Sequence, residues 1–382
     1  MTELWIDCEV CAARYSAYSE SCPTCGAANP YAGERSMKGI ARAAVIGIAA
    51  IAIVAVVFMY PSIFNQKENP VGSAVTILRP PAVGPETVPK DELVKRMLDA
   101  INKDRREFGL APVELSDNEA AQAHAEDVFK MKQISHWMSN GEKPYMTYTK
   151  MGGKGSVHQN VAIAGFGPDE YDRCVSTMIL CERIDPAKAL DELEHEMMYN
   201  DQECCDNGHR DNILDPHHTK VSIGIVYDEY YLALVQNFEN DYGLEVEADD
   251  GYVNIVGDAP GDGARLDHVV VYYDEHPSPA AYQANKKMIS YGAGELAASV
   301  FAPLPGGMRY QQPDTYTVIE AESWEDQDGA IDISFDLKPA INKDGVYTLY
   351  VMFKDAKGEQ FDATSYSIFV RQQQQVSATG LQ

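Results

Sequence analysis

Apolar residues recur along this 382-residue chain in three rhythms, and each predicts a different kind of structure. The first is continuous. Ala43 to Tyr60 (AAVIGIAAIAIVAVVFMY) runs for eighteen residues without a charge or a proline. At ~1.5 Å of rise per residue this makes about 27 Å of helix, close to the hydrocarbon thickness of a bilayer. With Gly39–Arg42 added, and Arg42 snorkelling to the interface, the run predicts a transmembrane helix over 39–60 that stops before Pro61. A buried core helix would carry an apolar stripe, whereas this run is apolar all round. A cleaved leader would need a shorter apolar region and a small-residue cleavage site.

The second rhythm is helical. After residues 61–88, a proline-punctuated stretch that predicts a semi-extended stalk, Leu93, Val94, Met97, Leu98, Ile101 and Phe108 mark one helix face. Ser116-Asp-Asn-Glu119 has the form of a capping box for a second helix reaching about Lys132. Helical spacing returns at 169–182 and 186–199. Between and after these helices, 156–164, 221–227 and 230–238 alternate like strands, the last two forming a hairpin around Asp228-Glu229. Interleaved helices and strands of this kind predict helices covering both faces of a small, partly antiparallel sheet.

The third rhythm is alternation alone. Beyond residue 240, seven β-rich runs (252–257, 267–275, 296–302, 315–322, 330–337, 345–353 and 365–370) are separated by Gly, Pro, Asn and Asp. They predict a β-sandwich over 243–370, of the immunoglobulin-like or fibronectin type III-like kind, with a disordered tail at 371–382.

Charge and cysteines orient these parts. Arg35, Lys38 and Arg42 precede the apolar run and only Lys67 follows it closely, so the positive-inside rule places the N-terminus in the cytoplasm and the bulk of the chain outside. Cys8, Cys11, Cys22 and Cys25 read C-x2-C-x10-C-x2-C. Two such knuckles over residues 1–34 favour a structural zinc ribbon over a pair of disulfides, because so short a segment cannot bury a sufficient core without metal. Cys174, Cys181, Cys204 and Cys205 all lie on the outer side and predict two disulfides, with three connectivities open. Cys174 and Cys181, seven apart in a helical pattern, are expected to share a face and to bridge to Cys204 and Cys205. The formal net charge of −27 falls almost wholly beyond residue 42. Such a surface excludes nucleic acid as a partner and favours cations and basic partners.

INKDRREFGLAPVELSDNEAAQAHAED (101–127), Ser135-His136, HQNVA (158–162), GHRDNIL (208–214) and VSIGIVYDEYYLALVQNF (221–238) occur in this order. The series resembles the CAP superfamily, the SCP domain of cysteine-rich secretory, antigen 5 and pathogenesis-related proteins, over about 89–240. The resemblance implies an α-β-α sandwich with a cleft that in many members holds two histidines and two acidic residues, sometimes with a divalent metal. His136 and His209 match the cleft histidines. The Gly-Glu-Asn strand motif stands here as His158-Gln159-Asn160, so Gln159 replaces an acid and His158 a glycine. The remaining acid is sought before His209, among Glu192, Glu194, Glu196 and Asp201, with Glu196 and Asp201 as the candidates beside the cleft.

Two readings of the histidine pair stand. They are either structural residues satisfied by hydrogen bonds or ligands for a divalent metal. Gln159 cannot act as a general base, and along a strand only one of His158 and Gln159 faces a given side. His217-His218 in a proline-led loop read as exposed, and His124 and His195 as surface or packed residues. No Gly-x-Ser-x-Gly, His-Glu-x-x-His, phosphate loop or dinucleotide fingerprint occurs. The expected class is therefore α+β, a CAP-like α-β-α sandwich plus a C-terminal β-sandwich, on one transmembrane helix with an N-terminal zinc ribbon. The expected role is that of a single-pass cell-surface binding module for a small ligand, a metal or an envelope polymer or protein. A metal-assisted hydrolase of peptide or glycan, or a transmembrane sensor, is the alternative.

Overall fold

The computed structural model describes residues 88–371 apart from 177–180, 262 and 328, and two short strands near the N-terminus. Those strands, β1 (Trp5–Asp7) and β2 (Arg14–Ser16), pair antiparallel with Trp5 opposite Ser16. The four ribbon cysteines, the expected membrane span, the stalk and residues 372–382 lie outside the described residues. Among the described residues no helix is long and apolar enough to cross a membrane.

The described residues from Val88 to Arg371 belong to one compact unit. Its first half is three-layered. Helix α1 (Lys90–Glu107) leads through β3 (Glu114–Leu115) to α2 (Ala120–Met131), α3 (Pro144–Lys150) and β4 (Ser156–Gly165). Helices α4 (Pro168–Ser176), α5 (Pro186–Tyr199), α6 (Gln202–Cys205) and α7 (Gly208–Ile213) follow, then strands β5 (Lys220–Tyr227) and β6 (Tyr231–Asn240). The sheet order is β3-β5-β6-β4, antiparallel except for the β3/β5 pair.

All ten residues of β6 are buried because helices cover both faces. Leu232, Leu234 and Phe238 pack with Leu93, Met97 and Ile101 of α1 and with Leu190 and Met198 of α5. Tyr231, Ala233 and Val235, one step out of phase, pack with Ala121, Ala125 and Val128 of α2. The period-2 alternation of the strand thus feeds two cores. Close approach of α2 to the sheet depends on Gly224, where an added Cβ would lie 2.0 Å from the Ala121 carbonyl oxygen. Arg105, fully buried, ties α1 to the far loop by donating to the carbonyls of Ala111, Ile213, Asp215 and His218.

Two local expectations change. Helix α2 begins at Ala120, not at the Ser116 box, because the Ser116 amide bonds the Val221 carbonyl at the end of β3; Asn118 Oδ1 instead accepts from Ala120 N at 2.9 Å. Helix α4 is described over Pro168–Ser176 and Cys181 lies outside any helix, so Cys174 and Cys181 do not share a helix face. Cys174, Cys181, Cys204 and Cys205 do form two disulfides, but each is local: Cys174–Cys181 and the adjacent pair Cys204–Cys205. Neither ties two helices together.

The second half carries two sheets around one core. Strands β7 (Glu245–Asp249), β8 (Tyr252–Asp258), β9 (Arg265–Asp274), β10 (Glu295–Phe301) and β11 (Thr317–Glu320) are followed by β12 (Ser323–Gln327), β13 (Ala330–Asp336), β14 (Gly345–Lys354) and β15 (Gln360–Val370), with helix α8 (Pro279–Asn285) between β9 and β10. The sheets are ordered β11-β10-β9-β14-β15 and β12-β13-β8-β7. Val253, Ile255, Ile333 and Phe335 of one sheet meet Val269, Val271, Leu349 and Val351 of the other. The two strands that the apolar pattern does not reveal, β7 and β12, are the short, charged edges of the four-stranded sheet. Edge strands carry charge on one side because no neighbour covers them there.

The two halves are joined by specific bonds. Lys143 donates to Asp274 at 2.6 Å and to the Gly292 carbonyl at 2.8 Å, and Tyr145 OH donates to the same aspartate. Thr364 Oγ1 donates to the Lys154 carbonyl at 2.6 Å, and Ser367 N to Thr149 Oγ1 at 3.1 Å. His217 stacks flat on Phe361 with ring centroids 4.0 Å apart.

Candidate functional site

A cavity of about 560 Å³ lies between the two halves. Its CAP-like wall is built by His136, which follows α2, by Val157–Asn160 of β4, and by Cys205, His209 and Asn212 around α6 and α7. Its other wall comes from β9 (His268, Val270, Tyr272), β14 (Tyr350, Met352), β15 (Gln360, Asp362) and the loop at Ile289–Tyr291. His136, His158, Gln159 and His209 therefore reach one space. Asp201 stands behind His209 rather than on the wall. Glu196 is exposed and bonds Asn200, away from the cavity.

At one end, Gln159 organises a dry polar cluster. Its Nε2 donates to Asn237 Oδ1 and to His124 Nδ1, both at 3.0 Å, while its Oε1 lies 3.2 Å from His136 Nδ1. The tautomers follow from these partners. The Ser135 carbonyl can only accept, so His124 Nε2, at 2.9 Å, carries the proton and Nδ1 accepts from Gln159. Oε1 can likewise only accept, so His136 Nδ1 donates. Burial, with the neighbouring His136, lowers the His124 imidazole to about 4, and burial also lowers that of His136. Both rings are neutral at physiological pH. Tyr291 packs against His136 with centroids 5.1 Å apart.

The other end is built around a carboxylate. Asp201, buried, accepts from His209 Nδ1 at 2.6 Å with Oδ1 and from the His209 backbone amide at 2.8 Å with Oδ2. Asn160 holds the same residue from the sheet side: its Nδ2 donates to the His209 carbonyl at 3.1 Å, and its Oδ1 accepts from Asn212 at 2.8 Å. Gln236 extends this chain, accepting from Asn160 and donating to Glu194 at 2.7 Å. Burial raises the Glu194 carboxyl to about 8, so it is protonated at neutral pH.

A carboxylate enters the cavity from the opposite wall. Asp362 of β15 accepts from Ser156 Oγ and lies 3.1 Å from His158 Nε2. Burial opposes the charge on His158, but the Asp362 charge and hydrogen bond outweigh it and raise the imidazole above its usual value. His218, expected to be exposed, is buried against His158 and Phe238. Burial, with the neighbouring His158, lowers it to about 3. His158 and Gln159 do point differently, as strand alternation requires: one meets the sandwich, the other the interior of the CAP-like half.

The family-type metal set of two histidines and two acids does not fit these residues. Gln159 occupies one acid position, and its amide is spent on His124, His136 and Asn237. Among the described residues, the His, Cys, Asp and Glu side chains that bring three or more donor atoms within 4.8 Å of one another are Asp201, Cys204, Cys205 and His209, without His136.

On the CAP-like wall, sequence reasoning named His136, His158, Gln159 and His209 for the cleft but not Val157, Cys205 or Asn212, and it missed the other wall: Asp362, His268, Tyr272, Tyr291 and Tyr350. These lie more than 100 residues beyond Asn160 in strands and a loop whose local pattern carries no motif.

Comparison with known proteins agrees with the architecture of the first half. Residues 98–238 match the model of the Cysteine-rich secretory protein family, CAP. No curated protein matches the chain. Among solved structures, an extracellular protein containing a SCP domain from Bacillus anthracis str. Ames is similar at 16% identity and a TM-score of 0.28, over 39% of this chain and 40% of that one. The present chain thus spans well under two thirds of that protein's length. The ordered motifs, the three-layered fold and the family match together place a CAP domain at residues 98–238, with a β-rich region after it.

Proposed function

We propose that this protein is a single-pass surface protein whose CAP domain and β-sandwich together form a binding module for a small, hydroxyl-rich ring, such as a saccharide unit of an envelope polymer. The cavity carries this reading. The rings of Tyr145, Tyr272, Tyr291 and Tyr350 line it together with the side-chain amides of Gln159, Asn160, Asn212 and Gln360. Flat faces beside a polar wall suit a neutral polar ring, since aromatic bodies take its apolar face while polar atoms of the wall take its hydroxyls. The cavity volume suits one or two such rings. The strongly acidic surface disfavours an anionic polymer and places nucleic acid among the excluded partners.

In this reading the run at 39–60 anchors the chain, the N-terminus is cytoplasmic with Cys8, Cys11, Cys22 and Cys25 on one structural zinc, and the module faces outward. The β1/β2 pair brackets Cys8 and Cys11 in sequence, which supports a ribbon. A peptide of residues 1–34 is expected to show tetrahedral thiolate absorption with cobalt, and reduced thiols that take up no metal would remove the ribbon.

Titration calorimetry of the full chain against soluble envelope glycan fragments tests the module. Tyr350→Ala and Tyr272→Ala should each weaken binding about two- to tenfold, given roughly 0.5–1.5 kcal/mol per ring contact. Binding that is absent, or indifferent to both variants, ends this reading. Release of new reducing ends during the titration would favour the hydrolase alternative.

A further inference from the structure

The vicinal cysteines stand where no motif of the CAP series places them. Cys204 and Cys205 close the short helix α6, with Cα atoms 3.8 Å apart and their sulfurs joined. Asp206 and Asn207 then adopt consecutive left-handed conformations, φ 52° and 65°. This reversal turns the chain so that His209 comes back beside the pair. Cys204 Sγ lies 3.5 Å from Asp201 Oδ1, the atom that also bonds His209 Nδ1. Cys205 and His209 both face the cavity. One sulfur pair, one imidazole and one buried carboxylate thus converge, with all four donor atoms within 4.8 Å of one another.

We propose that this cluster is a redox-gated seat for a borderline divalent transition metal, zinc above all, at the mouth of the cavity. As a disulfide the two sulfurs carry no charge and are poor donors; as thiolates they are strong ones. The step balances with a thiol or phosphine reductant. That reductant supplies two electrons, the S–S bond breaks, and two protons complete the thiols. Each thiol then releases its proton as its metal–sulfur bond forms, so one divalent cation displaces two protons. Opening the bond lets the sulfurs separate to the roughly 3.8 Å that two tetrahedral bonds of about 2.3 Å require. His209 binds through one ring nitrogen and keeps its proton on the other, and Asp201 supplies the oxygen. The resulting ligand set, two thiolates with one imidazole and one carboxylate, differs in kind and position from a pair of cleft histidines. Because it uses His209 and Cys205, metal binding changes the wall of the cavity itself.

The test uses the full chain with Cys8, Cys11, Cys22 and Cys25 all changed to serine, so that the N-terminal segment contributes no thiolate. Cobalt(II) is added before and after anaerobic treatment with a phosphine reductant that is then removed. The expected result is one cobalt per chain after reduction only, with tetrahedral d–d absorption and a thiolate charge-transfer band. Cys204→Ser with Cys205→Ser should abolish both signals, and His209→Gln should weaken uptake at least about tenfold and shift the d–d bands. Cys174→Ser with Cys181→Ser should leave them intact. Wild-type outer cysteines that take up no cobalt after reduction overturn the proposal without any variant having to fold. Uptake that is equal before and after reduction, or that survives loss of Cys204 and Cys205, overturns it as well.

Discussion

His136 and His209 share a cavity, yet the two ends they occupy follow opposite electrostatic logic. At the His136 end, an amide stands where the resemblance expects an acid. Gln159 can donate with Nε2 and accept with Oε1 at once, so it pairs two neutral imidazoles without burying a charge. At the His209 end a true carboxylate, Asp201, orients the ring by bonding both its Nδ1 and its backbone amide. A buried amide is satisfied by geometry alone. A buried carboxylate needs donors placed around it, and α7 supplies two of them from its backbone. Replacing an acid by an amide therefore turns one end into a rigid frame and leaves the reactive chemistry at the other.

The largest expected effect breaks the frame. Gln159→Leu leaves His124, His136 and Asn237 unpaired in the interior and should cost roughly 3–5 kcal/mol, measured as a fall in the denaturation midpoint at unchanged slope. A loss below about 1 kcal/mol would mean that the cluster is hydrated and not a frame.

Acid should act on the same end next. The folded value of His124 is lowered to about 4, so the unfolded chain binds the extra proton as pH falls from about 6.5. Stability should then drop by about 1.4 kcal/mol per pH unit over that window. Gln159→Glu, which offers His124 a carboxylate, should raise its pKa by at least one unit in proton-detected titrations. An unmoved His124 would place the new charge away from the cluster.

A smaller effect tests the joint between the halves. His158 is raised by Asp362, so its contribution is fully present below about pH 6.5 and is lost as pH rises through its higher folded value. Asp362→Asn should cost about 1 kcal/mol in mildly acidic buffer, and the cost should shrink as pH rises through the folded value of His158. A cost independent of pH would assign the role of Asp362 to its bonds with Ser156 and Asn240.

A last difference separates the two acids considered for the His209 end. Asp201→Ala should cost about 2 kcal/mol, through loss of three donors at a buried site. Glu196→Ala, at an exposed position, should stay within about 0.5 kcal/mol. Equal costs would erase the distinction between them.

What the sequence determined by itself is whatever short-range pattern encodes. The helical period around Leu93, Met97 and Ile101 and the two-residue alternation of β6 depend only on which side of an element meets a core, so helices, hairpin and most sandwich strands were legible. The His136, Gln159 and His209 positions were legible through ordered motifs. The exposed reading of His218 failed because its burial comes from Phe238 and His158, which are remote in sequence. The shared helix face for Cys174 and Cys181 failed because Cys181 lies outside any helix. Tertiary structure alone decided that the cleft has a second wall. Asp362 and the tyrosines reach it through the packing of the five-stranded sheet and a loop against the CAP-like half, and no local rule relates residue 158 to residue 362. It also decided which acid serves His209, since that choice rests on a chain reversal at Asp206 and Asn207 and not on helical spacing.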